Sequence, residues 1–232
     1  MKRIDWQSSL VFGSAFLIIA VLLGLIIQLQ GQYFLALSFI CLVVSMLPFY
    51  WRFEKRQIRA REIVMIAVLA TIAAVSRVPF APLPSVQPTS FLVIVAALVL
   101  GPEAGFMIGS TAALVSNFFL GQGPWTPWQM FCWGMMGVTA GLISRFDWAH
   151  NKYWLCLFGF IWGFIFGWVM NLWYFIAYVN PLSLKTFIAA YIASFYFDLA
   201  HALSNVFFIY CFYQSWYRII QRFKIKYGLL NH

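Results

Sequence analysis

Hydrophobic and polar residues follow one another along the chain in long blocks, without the short periods of a surface helix or strand in a soluble protein. Eight apolar segments can be marked, and several run for about 20 residues without a charge, enough to cross a hydrocarbon core of roughly 30 Å. The segments cover residues 10–29, 33–50, 62–78, 87–100, 104–120, 128–144, 153–178 and 186–214. The pattern predicts an all-α polytopic membrane protein.

Composition supports this class. Charged residues make up 9% of the chain and mean hydropathy is +0.85, whereas a soluble domain is about one quarter charged. The segment 10–29 is too long for a signal peptide and lacks a small-residue cleavage site, so we interpret it as a retained helix. The four cysteines lie in apolar segments without CxxC or Cys/His spacing, a distribution that predicts no metal site and no disulfide framework.

The basic residues are grouped in alternate loops. If the N-terminus is cytoplasmic, 13 of the 15 fall on the inside, and only Arg77 and Lys185 fall outside. The inside residues are Lys2, Arg3, Arg52, Lys55, Arg56, Arg59, Arg61, Arg145, Lys152, Arg218, Arg222, Lys224 and Lys226. The positive-inside rule therefore predicts that both termini are cytoplasmic. The net charge of +9 then needs no nucleic-acid partner.

The outer loops differ from the basic inner ones. Residues 77–88 and 119–130 are rich in Pro, Gly, Trp and amides, a composition typical of rigid, structured loops. Two interpretations are open. Trp125 and Trp128 are expected at a membrane interface in any case, but their position beside the helix ends that carry Asn117 and Arg77 also suits a lid over a ligand.

Small residues recur at four-residue spacing, which lets helices approach closely in lipid. The stripes are Gly101, Gly105, Gly109 and Ala113, then Gly137 and Gly141, then Gly159, Gly163 and Gly167, and finally Ala67, Ala70 and Ala74. We expect most of them to be contacts within the bundle. The alanine stripe has a second interpretation, as a docking surface for another membrane protein. Gly101-Pro102-Glu103-Ala104, the only residues between two segments, predict a tight helical hairpin.

Polar residues inside the spans are few. Asn117 lies near an outer end and Asn171 lies in the seventh segment, whereas Asp198, His201 and Asn205 share one face of the eighth. A buried Asp198 needs a partner, and we expect His201, one turn away, to supply it. The group is either an internal polar clamp or a functional site. The chain contains no GxSxG, HExxH or GxxxxGK[ST] motif and no cluster of acids, so no catalytic or metal-ligating residues are predicted.

Residues 61–144 resemble the substrate-binding subunits (S-components) of energy-coupling factor (ECF) transporters. The resemblance rests on the alanine-rich helix with Ala70-Thr71-Ile72-Ala73-Ala74 and on the Pro-rich loop after it. The spans from 62 to 214 match the six-helix core of that family, and the resemblance implies that residues 1–50 are an additional N-terminal hairpin. The implied domains are 1–60, a hairpin and basic linker; 61–217, the substrate-binding core; and 218–232, a basic cytoplasmic tail.

Within that family, residues 116–130 are similar to the cobalamin-specific S-components. The resemblance implies a bacterial plasma-membrane subunit that binds its vitamin at the outer face, has no cofactor of its own, and works with a coupling subunit and two ATPase subunits. The alanine face, Ala67, Ala70 and Ala74, would dock on the coupling subunit. The candidate substrate contacts are Arg77, Pro84, Gln87, Asn117, Gln122, Trp125, Thr126, Trp128 and Gln129.

Other functions remain open at this stage. The chain is also compatible with an S-component for another vitamin or a nucleobase-like compound, or with a self-sufficient secondary transporter or channel. A membrane-embedded enzyme would have to use Asp198 and His201. Uptake that depends on ATPase partners would favour the importer subunit over the other two classes.

Overall fold

The computed structural model describes residues 34–55 and 59–229, and within these ranges the chain forms seven α-helices and no strand. They are α1 Phe34–Lys55, α2 Ala60–Val75, α3 Pro88–Leu100, α4 Pro102–Leu120, α5 Thr126–Ile143, α6 Lys152–Tyr178 and α7 Leu184–Tyr227. Two short 3₁₀ turns lie at Val78–Phe80 and Asp147–His150. The all-α class is confirmed, and the segment 10–29 lies outside the described residues.

Four stretches of the described chain are helical, long and apolar enough to cross a membrane: Ala60–Phe80, Pro102–Leu120, Lys152–Tyr178 and Leu184–Tyr227. The short helix α3 lies at the centre of the bundle, because all of its residues are buried. It packs against α2, α4, α5 and α7. The helices α2, α4, α5 and α7 therefore enclose α3, and α1 packs on the outside, where Phe49 stacks on Phe106.

The last helix is longer than the pattern predicted. The hydrophobic segment was expected to end at 214, but α7 continues to Tyr227, into the stretch from 218 that was predicted to be the cytoplasmic tail. The basic residues Arg218 and Arg222 are exposed, whereas Ile220 between them is buried in the core. The helix has 44 residues, a length of about 66 Å, so it exceeds the roughly 30 Å hydrocarbon thickness.

The glycine stripes are contacts within the bundle. A β-carbon on Gly105 would lie 2.7 Å from the carbonyl oxygen of Gly137, which shows how closely α4 approaches α5. On the other side of the fold, a β-carbon on Gly163 of α6 would lie 2.6 Å from the backbone nitrogen of Ala202 on α7. These approaches fix the position of α5 against α4 and of α7 against α6.

The two ends of the bundle have different chemistry. At one end Arg52 pairs with Glu103 over 2.7 Å, and Lys224 donates to the carbonyl oxygen of Val99 over 2.7 Å. We call this the inner end, because it carries the basic loops. The opposite, outer end carries the loop after α2 and the loop between α4 and α5. The hairpin between α3 and α4 is as tight as predicted, since Gly101 alone separates them.

Candidate functional site

The loop after α2 is wound into successive turns at the outer end. Its backbone bonds run from Phe80 to Arg77 over 3.1 Å and from Leu83 to Phe80 over 2.9 Å. The loop ends at Gln87, whose backbone N–H donates to the Ser204 hydroxyl on α7 over 3.1 Å. Three prolines fix φ within this stretch, so the loop is structured.

The loop between α4 and α5 is shaped by glycine and by its own side chains. Gly121 ends α4 with φ of 105°, a conformation that favours glycine. Gln122 donates back to the carbonyl oxygen of Leu114 over 2.9 Å, and the ring of Trp125 lies against Gly123. Pro127 lies in the first turn of α5, where its missing N–H costs nothing.

Asn117 is the centre of a buried hydrogen-bond network beneath both loops. Its side-chain oxygen accepts from Nη1 of Arg77 over 3.1 Å. Its amide nitrogen donates to Oγ1 of Thr126 over 3.0 Å and to Oε1 of Gln129 over 2.8 Å. Thr126 donates in turn to Oε1 of Gln122 over 2.9 Å. Five of the predicted site residues, from four different segments, thus form one network.

The network continues into the core through Ser116, Trp133 and Ser90, which the sequence did not single out, and through His201, for which it predicted a different partner. Ser116, beside Asn117, also accepts a hydrogen bond from Nη1 of Arg77. The Arg77 guanidinium carbon lies 4.8 Å from the centre of a ring of Trp133. The Trp133 indole N–H donates to Ser90 over 3.0 Å, and the Ser90 hydroxyl shares a hydrogen bond of 2.7 Å with Nε2 of His201. Nothing in the spacing of Ser90, Trp133 and His201 indicates that they meet.

A cavity of about 310 Å³ lies between the Pro-rich loop and the end of α4. It is lined by Arg77, Phe80, Ala81, Leu83, Pro84, Ser85, Val86, Gln87 and Leu120. Three predicted contact residues, Arg77, Pro84 and Gln87, therefore meet here. Oε1 of Gln87 is buried without a hydrogen-bond partner, and such an orphaned acceptor is costly unless a ligand or water satisfies it.

The two predicted tryptophans lie elsewhere at the outer end. Trp125 is half-buried, and its ring centre lies 5.9 Å from that of Trp173 on α6. Trp128 is buried, and its indole N–H has no hydrogen-bond partner. Neither residue lines the 310 Å³ cavity. Trp173 was not among the predicted site residues. Its indole N–H is likewise buried without a hydrogen-bond partner.

The predicted pairing of Asp198 with His201 is wrong. Oδ2 of Asp198 accepts from Ser194 over 3.2 Å and from Asn171 of α6 over 3.3 Å. His201 is turned to Ser90 on α3 instead. The two side chains share a broad face of α7, but Asp198 packs towards α6 and His201 towards α3. Each therefore has a hydrogen-bond partner on a neighbouring helix. Neither lines the outer cavity.

The alanine stripe of α2 divides between the inside and the outside of the bundle. Ala70 and Ala74 are 1% and 0% exposed and belong to the core, so the structure favours bundle packing for these two. Ala67 is exposed, in a surface strip with Val64, Val68 and Thr71. In this conformation a partner could therefore contact Ala67 and its exposed neighbours, but not Ala70 or Ala74.

Comparison with known proteins gives one family. No curated protein and no solved structure matches the chain. The family model described as "ECF transporter, substrate-specific component" matches residues 61–213, more than half of the chain. The matched range begins in α2 and ends in α7, so it contains both outer loops and the Asn117 network. This chain belongs to the family of substrate-specific components of ECF transporters.

Proposed function

We propose that this protein binds cobalamin at the outer end of the α2–α7 bundle and delivers it inward with a coupling subunit and two ATPase subunits. Membership of the family implies association with ECF membrane and ATPase subunits. The vitamin, the site and the orientation in the bacterial plasma membrane are the proposal. The Asn117 network beneath two structured outer loops is the observation that carries it.

The chemistry of this end suits a large, amide-rich ligand. Amide, hydroxyl and guanidinium groups converge on Asn117, and the buried indole N–H groups of Trp128 and Trp173 lack partners. Ligand sites combine apolar and aromatic walls with a few polar groups of this kind. The similarity of residues 116–130 to cobalamin-specific S-components favours a corrinoid among amide-bearing ligands.

The size of the cavity sets a condition on this proposal. A corrinoid is much larger than 310 Å³, so only one of its peripheral groups fits the cavity as it stands. The Pro-rich loop and the loop at Gly121–Trp125 have to open around the corrin ring. The few hydrogen bonds that tie these loops to the helices, such as Gln87 to Ser204, are the ones that opening would break.

Docking on the coupling subunit is proposed for the exposed strip of α2. Ala67, Val64, Val68 and Thr71 face outward there, and this small-residue, apolar surface would allow a partner helix to approach closely. With the inner end cytoplasmic, as the grouping of basic residues favours, the substrate site faces the outside. The chain has no ATP-binding motif, so energy would come from the partners.

The test is titration calorimetry of the purified, detergent-solubilised protein with cobalamin, and with riboflavin and biotin as controls. We expect selective binding of cobalamin that Asn117→Ala weakens and that Gln214→Ala, an exposed change on α7, leaves unchanged. Selective binding of another vitamin would overturn the cobalamin assignment. Cobalamin binding that survives changes throughout both outer loops would overturn the location of the site.

A further inference from the structure

Arg77 is a buried cation whose protein partners are all neutral. The residue is 8% exposed, and the hydrogen bonds of its side chain in the described part of the chain go to Ser116 and Asn117. The acidic residues of that part lie elsewhere: Glu54, Glu62, Glu103 and Asp147 belong to the inner half, and Asp198 packs towards α6. Burying a charge without an opposite charge is costly, so the position of Arg77 calls for an anion.

Both of these hydrogen bonds use one nitrogen of the guanidinium. Nη1 donates to Ser116 and to Asn117, and a guanidinium has five N–H groups in a planar fork. The N–H groups on Nη2 and Nε have no acceptor among the described residues. Neither nitrogen is among the fully buried atoms that lack a hydrogen-bond partner. Arg77 lines the outer cavity, and these N–H groups are the ones left for an occupant of it.

The rest of the cavity lining agrees with an anionic occupant. It contains no carboxylate that would compete for Arg77. Gln87 contributes a carboxamide whose oxygen is buried and unsatisfied, and Ser85 contributes a hydroxyl group. A guanidinium fork together with a carboxamide matches an oxyanion that carries, or lies next to, a hydrogen-bond donor.

We propose that the 310 Å³ cavity is the subsite for an oxyanion group of the transported ligand, with Arg77 as its ligand-binding residue and Gln87 holding a neighbouring donor. This proposal deepens the proposed function and rests on it. The oxyanion has two possible sources, the phosphodiester of a corrinoid with a nucleotide tail or the carboxylate of an acidic vitamin. Asn117 and Ser116 act as positioning residues that orient the guanidinium.

Matched ligand pairs test this subsite. The first pair is cobalamin and cobinamide, which lacks the phosphodiester, and the second is biotin and its neutral methyl ester. Titrations compare the wild type with Arg77→Gln, Arg77→Lys and Gln87→Leu. Arg218→Gln is the control, since that residue is exposed and lies near the inner end of α7. We expect Arg77→Gln to raise the Kd of the member of the bound pair that carries the oxyanion about 10- to 100-fold, as for loss of a charged hydrogen bond.

The member of the pair that lacks the oxyanion separates recognition from structure. Recognition of an oxyanion predicts that Arg77→Gln leaves the Kd of this ligand nearly unchanged and that Arg77→Lys has an intermediate effect on the other. An equal loss for both members would show that Arg77 only supports the fold and would overturn the subsite. Thermal unfolding of each variant shows whether the protein remains folded.

Failure of the subsite and failure of the proposed function give different results. Tight binding of riboflavin, which has no anionic group, unchanged by Arg77→Gln, would overturn the subsite and leave a vitamin-binding protein. If none of the vitamins binds, inorganic phosphate serves as the probe. Stabilisation of the wild type by phosphate at constant ionic strength, lost in Arg77→Gln, would support the subsite alone, and no difference would overturn it.

Discussion

Arg77 donates a hydrogen bond to the side-chain oxygen of Asn117 over 3.1 Å, and this bond joins the outer end of α2 to the outer end of α4. Each of these helix ends leads directly into an outer loop. The same asparagine holds Thr126 and Gln129 at the start of α5. Both loops are therefore anchored on one buried cluster, and a ligand that disturbs the cluster can affect both.

Removing the amide of Asn117 should destabilise the protein as well as weaken binding. Asn117→Ala takes an acceptor from Arg77 and a donor from Thr126 and Gln129, and a buried group left unsatisfied costs about 1–3 kcal/mol. Thermal unfolding in detergent should show a clearly lower midpoint. Gln214→Ala, exposed on α7, is the control, and an unchanged midpoint for Asn117→Ala would mean that the network does not stabilise the fold.

Enlarging the small residues between α4 and α5 should disrupt the bundle. Gly105→Leu would place its side chain against Ala97 and the backbone of Gly137, 2.6 and 2.7 Å from the new β-carbon. Overpacking of this kind costs about 1–3 kcal/mol or more. Ala193→Leu, on an exposed position of α7, is the matched small-to-large control. Size-exclusion profiles and thermal unfolding measure the difference, and equal behaviour of the two variants would contradict the close approach.

The alanines of α2 should separate into two classes. Ala67→Leu lies on the outer surface, so we expect it to block uptake in cells while purified protein still binds substrate. Ala70→Leu and Ala74→Leu would enter the core, where these residues are 1% and 0% exposed, so we expect loss of folded protein. Uptake assays and yield of monodisperse protein measure the two effects. Normal uptake by Ala67→Leu would place the docking surface elsewhere.

Replacing Asp198 by a neutral residue should leave substrate uptake unchanged. Asn at this position keeps an oxygen that can accept from Ser194 and Asn171, the two partners of Asp198. We therefore expect Asp198→Asn to retain uptake that depends on the ATPase partners. A proton-coupled transporter would instead lose uptake in this variant and would work without ATPases, so uptake measured with and without the partners distinguishes the two classes.

The orientation can be measured by labelling introduced cysteines in a variant that lacks the native ones. Pro82→Cys lies on the exposed part of the outer loop, and Asn151→Cys lies exposed at the opposite end, before α6. The positive-inside rule predicts that a membrane-impermeant maleimide added to intact cells labels position 82 and not position 151. The reverse pattern would invert the topology and place the substrate site in the cytoplasm.

The fold class and much of the helix packing could be predicted from the sequence. A backbone in lipid must satisfy its own hydrogen bonds, so an apolar segment is expected to form a helix. In the described part of the chain the apolar segments are helical, and a boundary such as that at Gly101 follows from local residues. Glycine stripes also encode close contact locally, as Gly105 and Gly163 show. Predicted residues such as Asn117 and Arg77 came together because they lie at helix ends on the same side of the membrane.

Only the tertiary structure decided which partners meet across the helices. Whether Ala70 faces inward, whether His201 turns to Ser90 or to Asp198, and whether Trp133 supports Arg77 depend on the rotation and axial shift of each helix against its neighbours. Those two quantities are set by packing with residues far away in the chain, which no local pattern contains. The extent of α7 has the same cause, because Ile220 is buried by contacts with other elements, whereas the charges beside it mark the end of the apolar pattern.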